Sequence, residues 1–238
     1  IDPLYGTEVD FQHLIDTAHG LGLRVMMDIV YSHTSHDSIL HSEHPEWFHR
    51  NSAGEISSRN PLWTDIIDLD YTQPGLWEYQ IETLRHWASL GVDGFRCDVA
   101  PLIPLEFWQE ARRRVAEVRD VLWLAESGWM RFVKKDTDLG IRHLTDPELH
   151  QAFDLTYDAD GGEYLLKYFR GEAAISDYLH QVFLQEVLYP YDAIKMRFLE
   201  CHDDLPFASK VRDPDTLRCW TAFSFLLPGA TMLFAGQE

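Results

Sequence analysis

The stretch GVDGFRCDVA, residues 91–100, reads as a short apolar strand that carries Arg96 and Asp98 two residues apart. Side chains alternate along a strand, so both charges point to the same side, and burying them costs several kcal/mol unless they are paired or solvated. They form either a structural ion pair or part of the open end of a sheet, where charge is useful. The rest of the chain decides between these.

Working outward, Trp77, Ile81, Leu84 and Ala88 recur at helical spacing after Pro74 and stop at Gly91. Further upstream, Thr7-Glu8-Val9-Asp10 has the form of a capping box, and Phe11, Leu14, Ile15 and Ala18 continue it as a helix to Gly20 and Gly22. RVMMDIVYSH (24–33) then reads as a strand buried on both faces. Residues 34–73 are rich in His, Ser and Asn and too long for an ordinary connection, so they predict a functional excursion or short subdomain. Downstream, PLEFWQEARRRVAEV predicts a helix, VLWLAES a strand and AFDLTYD (152–158) another. A helical stretch follows from Glu163 to about Val187 with a break at Gly171. IKMRFLECHDD predicts a strand, DPDTLRCWTAFSFLL a helix, and ATMLFAGQE a last strand.

Strands and helices that alternate in this way imply right-handed βαβ units and a parallel sheet. No GxGxxG follows a strand, which argues against a dinucleotide-binding fold. The polar residues argue for a barrel. Asp28 and His33, Arg96 and Asp98, Glu126, Asp154 and Asp158, His202 and Asp203, and Gln237 and Glu238 belong to six successive strands, mostly toward their C-terminal ends. In (β/α)8 enzymes that end carries the active site. Six strands do not close such a barrel, so the expectation is an incomplete TIM (β/α)8 barrel lacking the first two strands and the last helix, with residues 1–238 forming part of one catalytic domain.

Composition narrows the partners. A formal charge of −19 repels phosphate backbones and anionic membranes, so neither nucleic acid nor membrane is expected, whereas a neutral sugar is indifferent to it. Three cysteines without a CxxC predict neither a disulfide framework nor a zinc knuckle. The histidines of the 34–73 segment fit neither HExxH nor a zinc-finger spacing and read as solvated loop residues. The chain opens on Ile1 without a basic-then-apolar leader, which reads as processing or a fragment; the compartment is unreadable, with a cytoplasmic setting favoured.

Taken in order, these motifs resemble the α-amylase family, family 13 of the glycoside hydrolases. IDPLYGTEVDFQHLIDTAHGLGLRVMMDIVYSH resembles the first conserved segment with its lead-in, GFRCDVA the second, LAESGW the third, FLECHDD the fourth, and ATMLFAGQE the eighth barrel strand. The resemblance implies that Asp98 is a nucleophile, Glu126 a general acid/base and Asp203 a third carboxylate that binds sugar hydroxyls. It implies that Arg96 orients Asp98, that His33 and His202 bond the sugar, and that Asp28 supports the site. The chemistry suits these residue types: a retaining glycosidase needs two nearby carboxyls whose environments separate their pKa values.

The resemblance also has departures. Ser32 stands where calcium-dependent members carry Asn, so no cofactor is expected, and Cys201 stands where chloride-activated members carry Asn. Asp98 is followed by Val-Ala-Pro-Leu rather than by the Lys-His pair of many endo-acting members. The implied activity is retaining hydrolysis of α-1,4-glucans or maltooligosaccharides. The alternatives are a glucanotransferase, an exo-acting or α-1,6-acting relative, and a catalytically silent sugar-binding protein.

Overall fold

The computed structural model describes residues 1–211 and 213–237, and the chain divides into two compact units, Ile1–Glu126 with Asp136–Phe153, and Ser127–Lys135 with Asp154–Glu238. Glu238, read above as a strand-end carboxylate, lies outside the described residues. No helix among the described residues is long and apolar enough to cross a membrane.

The first unit opens with α1 (Glu8–Gly20), started by the capping box expected from the sequence. Asp10 N–H donates to Thr7 Oγ1 at 3.3 Å, and the Asp10 carboxylate accepts from Thr7 N–H at 2.8 Å. β1 (Met26–Ile29) follows. β2 (His33–Ser35) pairs antiparallel with β3 (Ile66–Asp68) across the excursion, which also holds the short helix α2 (Ile39–Glu43). The run read as one strand over 24–33 is therefore two, because the chain leaves β1 at Ile29 and turns before His33.

α3 (Pro74–Ser89) has proline in its first turn, where a missing N–H costs nothing, and buries Leu76, Ile81, Leu84 and Ala88. β4 (Gly94–Cys97), α4 (Leu105–Ala116) and β5 (Leu122–Ala125) complete two strand–helix repeats; of the next two helices, α5 (Met130–Asp138) falls mostly in the second unit and α6 (Asp146–Leu149) in the first. β1, β4 and β5 run parallel, with Asp28 beside Arg96 and Arg96 beside Leu124. Gly94 is required by this packing: a Cβ there would meet the Leu122 carbonyl oxygen at 2.9 Å. Beneath the strands, Phe107, Trp108, Trp123 and Phe153 pack edge to face and are essentially removed from water. Each such side chain contributes about 1.5–3 kcal/mol through burial. Asp93, just before β4, ties the N-terminal strand ends together by accepting from Val25 N–H, His19, Arg24 and Arg119 at 2.7–3.0 Å.

The second unit contains β6 (Leu155–Tyr157), β7 (Ile194–Arg197) and β8 (Ala230–Thr231), again parallel. α7 (Ala159–Phe169) and α8 (Ile175–Leu188) connect β6 to β7 and are separated at Gly171, whose φ of +72° is left-handed. α9 (Pro214–Leu226) is capped by Asp213, which accepts from Thr216 N–H at 2.8 Å.

A buried ionic layer lies between β7 and the helices. Arg197 is 2.8 Å from Asp158, Lys195 is 3.0 Å from Asp160, and Gln185 of α8 donates to both aspartates at 2.8 and 3.0 Å. Asp158 does stand at the C-terminal end of β6, its N–H donating to Met196 O at 3.0 Å, but its carboxylate is buried against Arg197 and Gln185, and Asp154, read with it, precedes the strand. The last strand is also shorter than ATMLFAGQE, and Gln237 lies beyond it as a buried residue outside any strand.

Candidate active site

The register of β1, β4 and β5 gathers charge at one end of the first unit. Asp98 N–H donates to Ile29 O at 2.9 Å and Glu126 N–H to Cys97 O at 3.1 Å, so each ladder continues one residue past its strand. Both carboxylates therefore stand at C-terminal strand ends. Arg96, nearly buried, points to the same end: its Nη1 donates to Asp28 Oδ1 at 2.9 Å, to Asp28 Oδ2 at 3.0 Å and to Asp98 Oδ1 at 2.9 Å. Its Nη2 lies 2.6 Å from Glu126 Oε1. One guanidinium thus serves three carboxylates, which settles the opening question. Arg96 and Asp98 are an ion pair and also part of the strand-end cluster.

The electrostatics set Glu126 apart. Burial pushes its pKa up to about 7, against the opposing pull of Arg96 and of the Val99 N–H; the neighbouring Asp98 adds to the rise, by its charge and by accepting a hydrogen bond from the protonated carboxyl. The proton near neutral pH therefore has a defined location. Cys97, adjacent in sequence, faces the core, and burial raises its thiol pKa well above the usual range, so it offers no nucleophile.

Val99 was not identified from the sequence. At φ 38° and ψ 42° it is the one non-glycine residue with left-handed backbone among the described residues, and its N–H donates to Glu126 Oε2 at 2.9 Å. This conformation costs a β-branched residue about 1–3 kcal/mol. No sequence signal marks it, because Val is among the least expected residues there.

His33 opens β2, with its Nδ1 2.6 Å from Ser32 Oγ and its ring 6.3 Å from that of Trp63. In the second unit, His202 and Asp203 share a turn closed by Asp204 N–H donating to Cys201 O at 3.1 Å, with His202 Nε2 3.5 Å from Asp203 Oδ2. Both side chains are more than half exposed. The structure therefore clusters Asp28, Arg96, Asp98 and Glu126, places His33 in the same unit, and pairs His202 with Asp203 in the other.

Parallel strand–helix repeats with carboxylates on the C-terminal strand ends define the class, an incomplete (β/α)8 barrel. The profile described as "Alpha amylase, catalytic domain" matches residues 1–60. The solved alpha-amylase from Lactobacillus plantarum is 44% identical with a TM-score of 0.95, covering 100% of this chain and 56% of that one. A noncanonic maltogenic alpha-amylase from Thermotoga neapolitana is 37% identical with a TM-score of 0.86, covering 100% of this chain and 52% of its own. Over its whole length the chain is similar to these members of the α-amylase family.

Among curated relatives, the alpha-1,4-glucan:maltose-1-phosphate maltosyltransferase of Myxococcus xanthus is 35% identical over 134 residues, 53% of this chain and 20% of its own length. The intracellular maltogenic amylase of Bacillus subtilis is 24% identical over 261 residues, covering 100% of this chain and 41% of its own length. The chain thus spans about half the length of the solved structures and a fifth to two-fifths of these curated relatives.

Proposed function

We propose that this protein is a retaining glycosidase acting on α-1,4-glucans or maltooligosaccharides, with Asp98 as nucleophile, Glu126 as general acid/base and Asp203 as the carboxylate that bonds sugar hydroxyls. One observation carries the reading: Asp98 and Glu126 share Arg96, and burial lifts the Glu126 pKa to about 7. That is the division of labour such a reaction needs.

In the first step an Asp98 oxygen bonds to the anomeric carbon as the glycosidic C–O bond breaks, and the Glu126 proton passes to the departing oxygen. In the second, Glu126 takes a proton from water as the water oxygen replaces Asp98 at the same carbon. Arg96 fixes the orientation of the Asp98 carboxylate through Oδ1, and Asp28 holds the guanidinium from its other side. The Val99 N–H supports the Glu126 carboxylate once its proton has gone. His33 and His202 would bond sugar hydroxyls.

A resident calcium of the family type has no role in this reading, because the donor set does not suit it. Ser32 Oγ is engaged by His33, and Asp68, which pairs with His33 across β2 and β3, accepts from Arg59 N–H at 2.8 Å.

A second reading, transfer to an acceptor sugar in place of water, draws support from the maltosyltransferase relative and from the Val-Ala-Pro-Leu that follows Asp98. Incubating the protein with maltoheptaose, soluble starch and pullulan, beside Asp98→Asn, tests both. Shortened products that vanish in the variant support hydrolysis, and products longer than the substrate support transfer. A folded protein that releases nothing from any of the three contradicts both.

A further inference from the structure

The turn that carries His202 and Asp203 has a second chemical character, because it begins with Cys201 and ends with Asp204. The hydrogen bond that closes the turn brings residues 201 and 204 to the same side, and the Cys201 thiol donates to Asp204 Oδ2 at 3.7 Å. His202 Nε2 stands 3.5 Å from Asp203 Oδ2. Ligand atoms of Cys201, His202 and Asp203 all lie within 4.8 Å of one another.

Tetrahedral zinc sites with sulfur, nitrogen and oxygen ligands have bonds of about 2.0–2.3 Å, which sets their donor–donor separations at about 3.3–3.7 Å. Two separations in this turn already have that length. The remaining separations among Cys201, His202 and Asp203 are no more than 4.8 Å, and the His202 and Asp203 side chains are exposed.

We propose that the 201–204 turn binds a divalent cation of the zinc class, held by Cys201, His202 and Asp203 with Asp204 as the fourth ligand. The mixed sulfur, nitrogen and oxygen set selects against calcium and magnesium, which take oxygen ligands. On binding, the metal–sulfur bond forms as the thiol proton leaves to solvent. Among the described residues, the histidines of the 34–73 segment form no comparable group of three ligand atoms.

The consequence for activity rests on the proposed function, where His202 and Asp203 meet the sugar. An ion that engages both would inhibit reversibly, and chelation would restore turnover. The site itself stands on the turn geometry alone.

The test is a titration of the protein with zinc against a chromophoric chelator, repeated with cobalt to read thiolate-to-metal charge transfer, on wild type, Cys201→Ser and Asp204→Asn. Circular dichroism confirms that each variant is folded. The expected result is one ion per chain with a charge-transfer band, binding weakened at least about tenfold in Cys201→Ser with loss of the band, and a smaller weakening in Asp204→Asn. Absence of binding to wild type, or unchanged affinity and band in Cys201→Ser, overturns the proposal; the latter would place the ion elsewhere, including at exposed Cys219. These readouts need no turnover, so they decide the metal site whether or not the protein cleaves glucans. If it does, Cys201→Ser should hydrolyse normally and resist inhibition by zinc.

Discussion

Arg96 Nη2 lies 2.6 Å from Glu126 Oε1, yet the pKa of Glu126 is pushed up to about 7, because the loss of solvent around the carboxyl outweighs the nearby cation. The two residues come from β4 and the end of β5, and the parallel register between those strands brings them together. A proton on this carboxyl is therefore held beside a positive charge.

This sets the basic limb of the pH–rate profile. Glu126 is protonated below about pH 7 and loses its proton as pH rises through that value, so kcat/KM for glucan hydrolysis should fall on the alkaline side with an apparent pKa near 7. The profile of kcat/KM against pH on a maltooligosaccharide checks it. A basic limb two or more units higher would contradict this placement of the proton.

Arg96 bridges Asp28, Asp98 and Glu126 with a forked group that a lysine ammonium cannot reproduce. Arg96→Lys should lower kcat by about 100-fold while leaving the protein folded, because orienting interactions at a reacting carboxylate are worth about that much. Steady-state kinetics with a thermal melt as control separates this from unfolding. Unchanged kcat would remove Arg96 from the mechanism.

Val99 gives a stability prediction of unusually small size. Replacing a partly buried valine by glycine normally destabilises, but at φ 38° glycine relieves left-handed strain, so Val99→Gly should change stability by less than about 1 kcal/mol. Urea unfolding measures it. A loss above about 2 kcal/mol would mean that the valine side chain, and not the backbone, matters there.

In the second unit, Arg197→Met leaves Asp158 buried without its cation. Breaking a buried pair in this way costs about 3–5 kcal/mol. Denaturant unfolding should show that loss, and Arg197→Lys should recover part of it.

Asp93 governs acid stability of the first unit. Its four donors hold its carboxyl far below the usual carboxylate range, with the Val25 N–H and His19 the largest stabilising contributors against the cost of burial. A depressed folded pKa contributes stability at pH above the unfolded value, about 3.9, and that stability is lost as pH falls toward the folded value. Asp93→Asn should therefore destabilise by about 2 kcal/mol at neutral pH, and the difference from wild type should shrink below pH 4. Thermal melts at several pH values test the slope.

Much of this architecture was legible in the sequence because the strands are short apolar runs and the helices carry caps and periodic apolar residues. The break at Gly171 and the capping box at Thr7 appear as read. What escaped depends on tertiary register. Asp98 was readable as a partner of Arg96 because they share a strand, whereas the contacts of Arg96 with Asp28 and Glu126 exist only once β1 and β5 flank β4. Asp158 stands at the end of β6 as read, but nothing local shows that Arg197 and Gln185, far along the chain, enclose its carboxylate. Val99 was invisible because its conformation contradicts its own propensity.

Asp98 is the residue proposed to attack the anomeric carbon. The most direct measurement is to trap the intermediate with a fluorinated α-glucosyl fluoride, which slows release of the sugar, and to map the modified peptide by mass spectrometry. One added sugar is expected, esterified to Asp98 and absent in Asp98→Asn. A sugar on Glu126 or Asp203, or turnover of the reagent with inversion and no adduct, would contradict it.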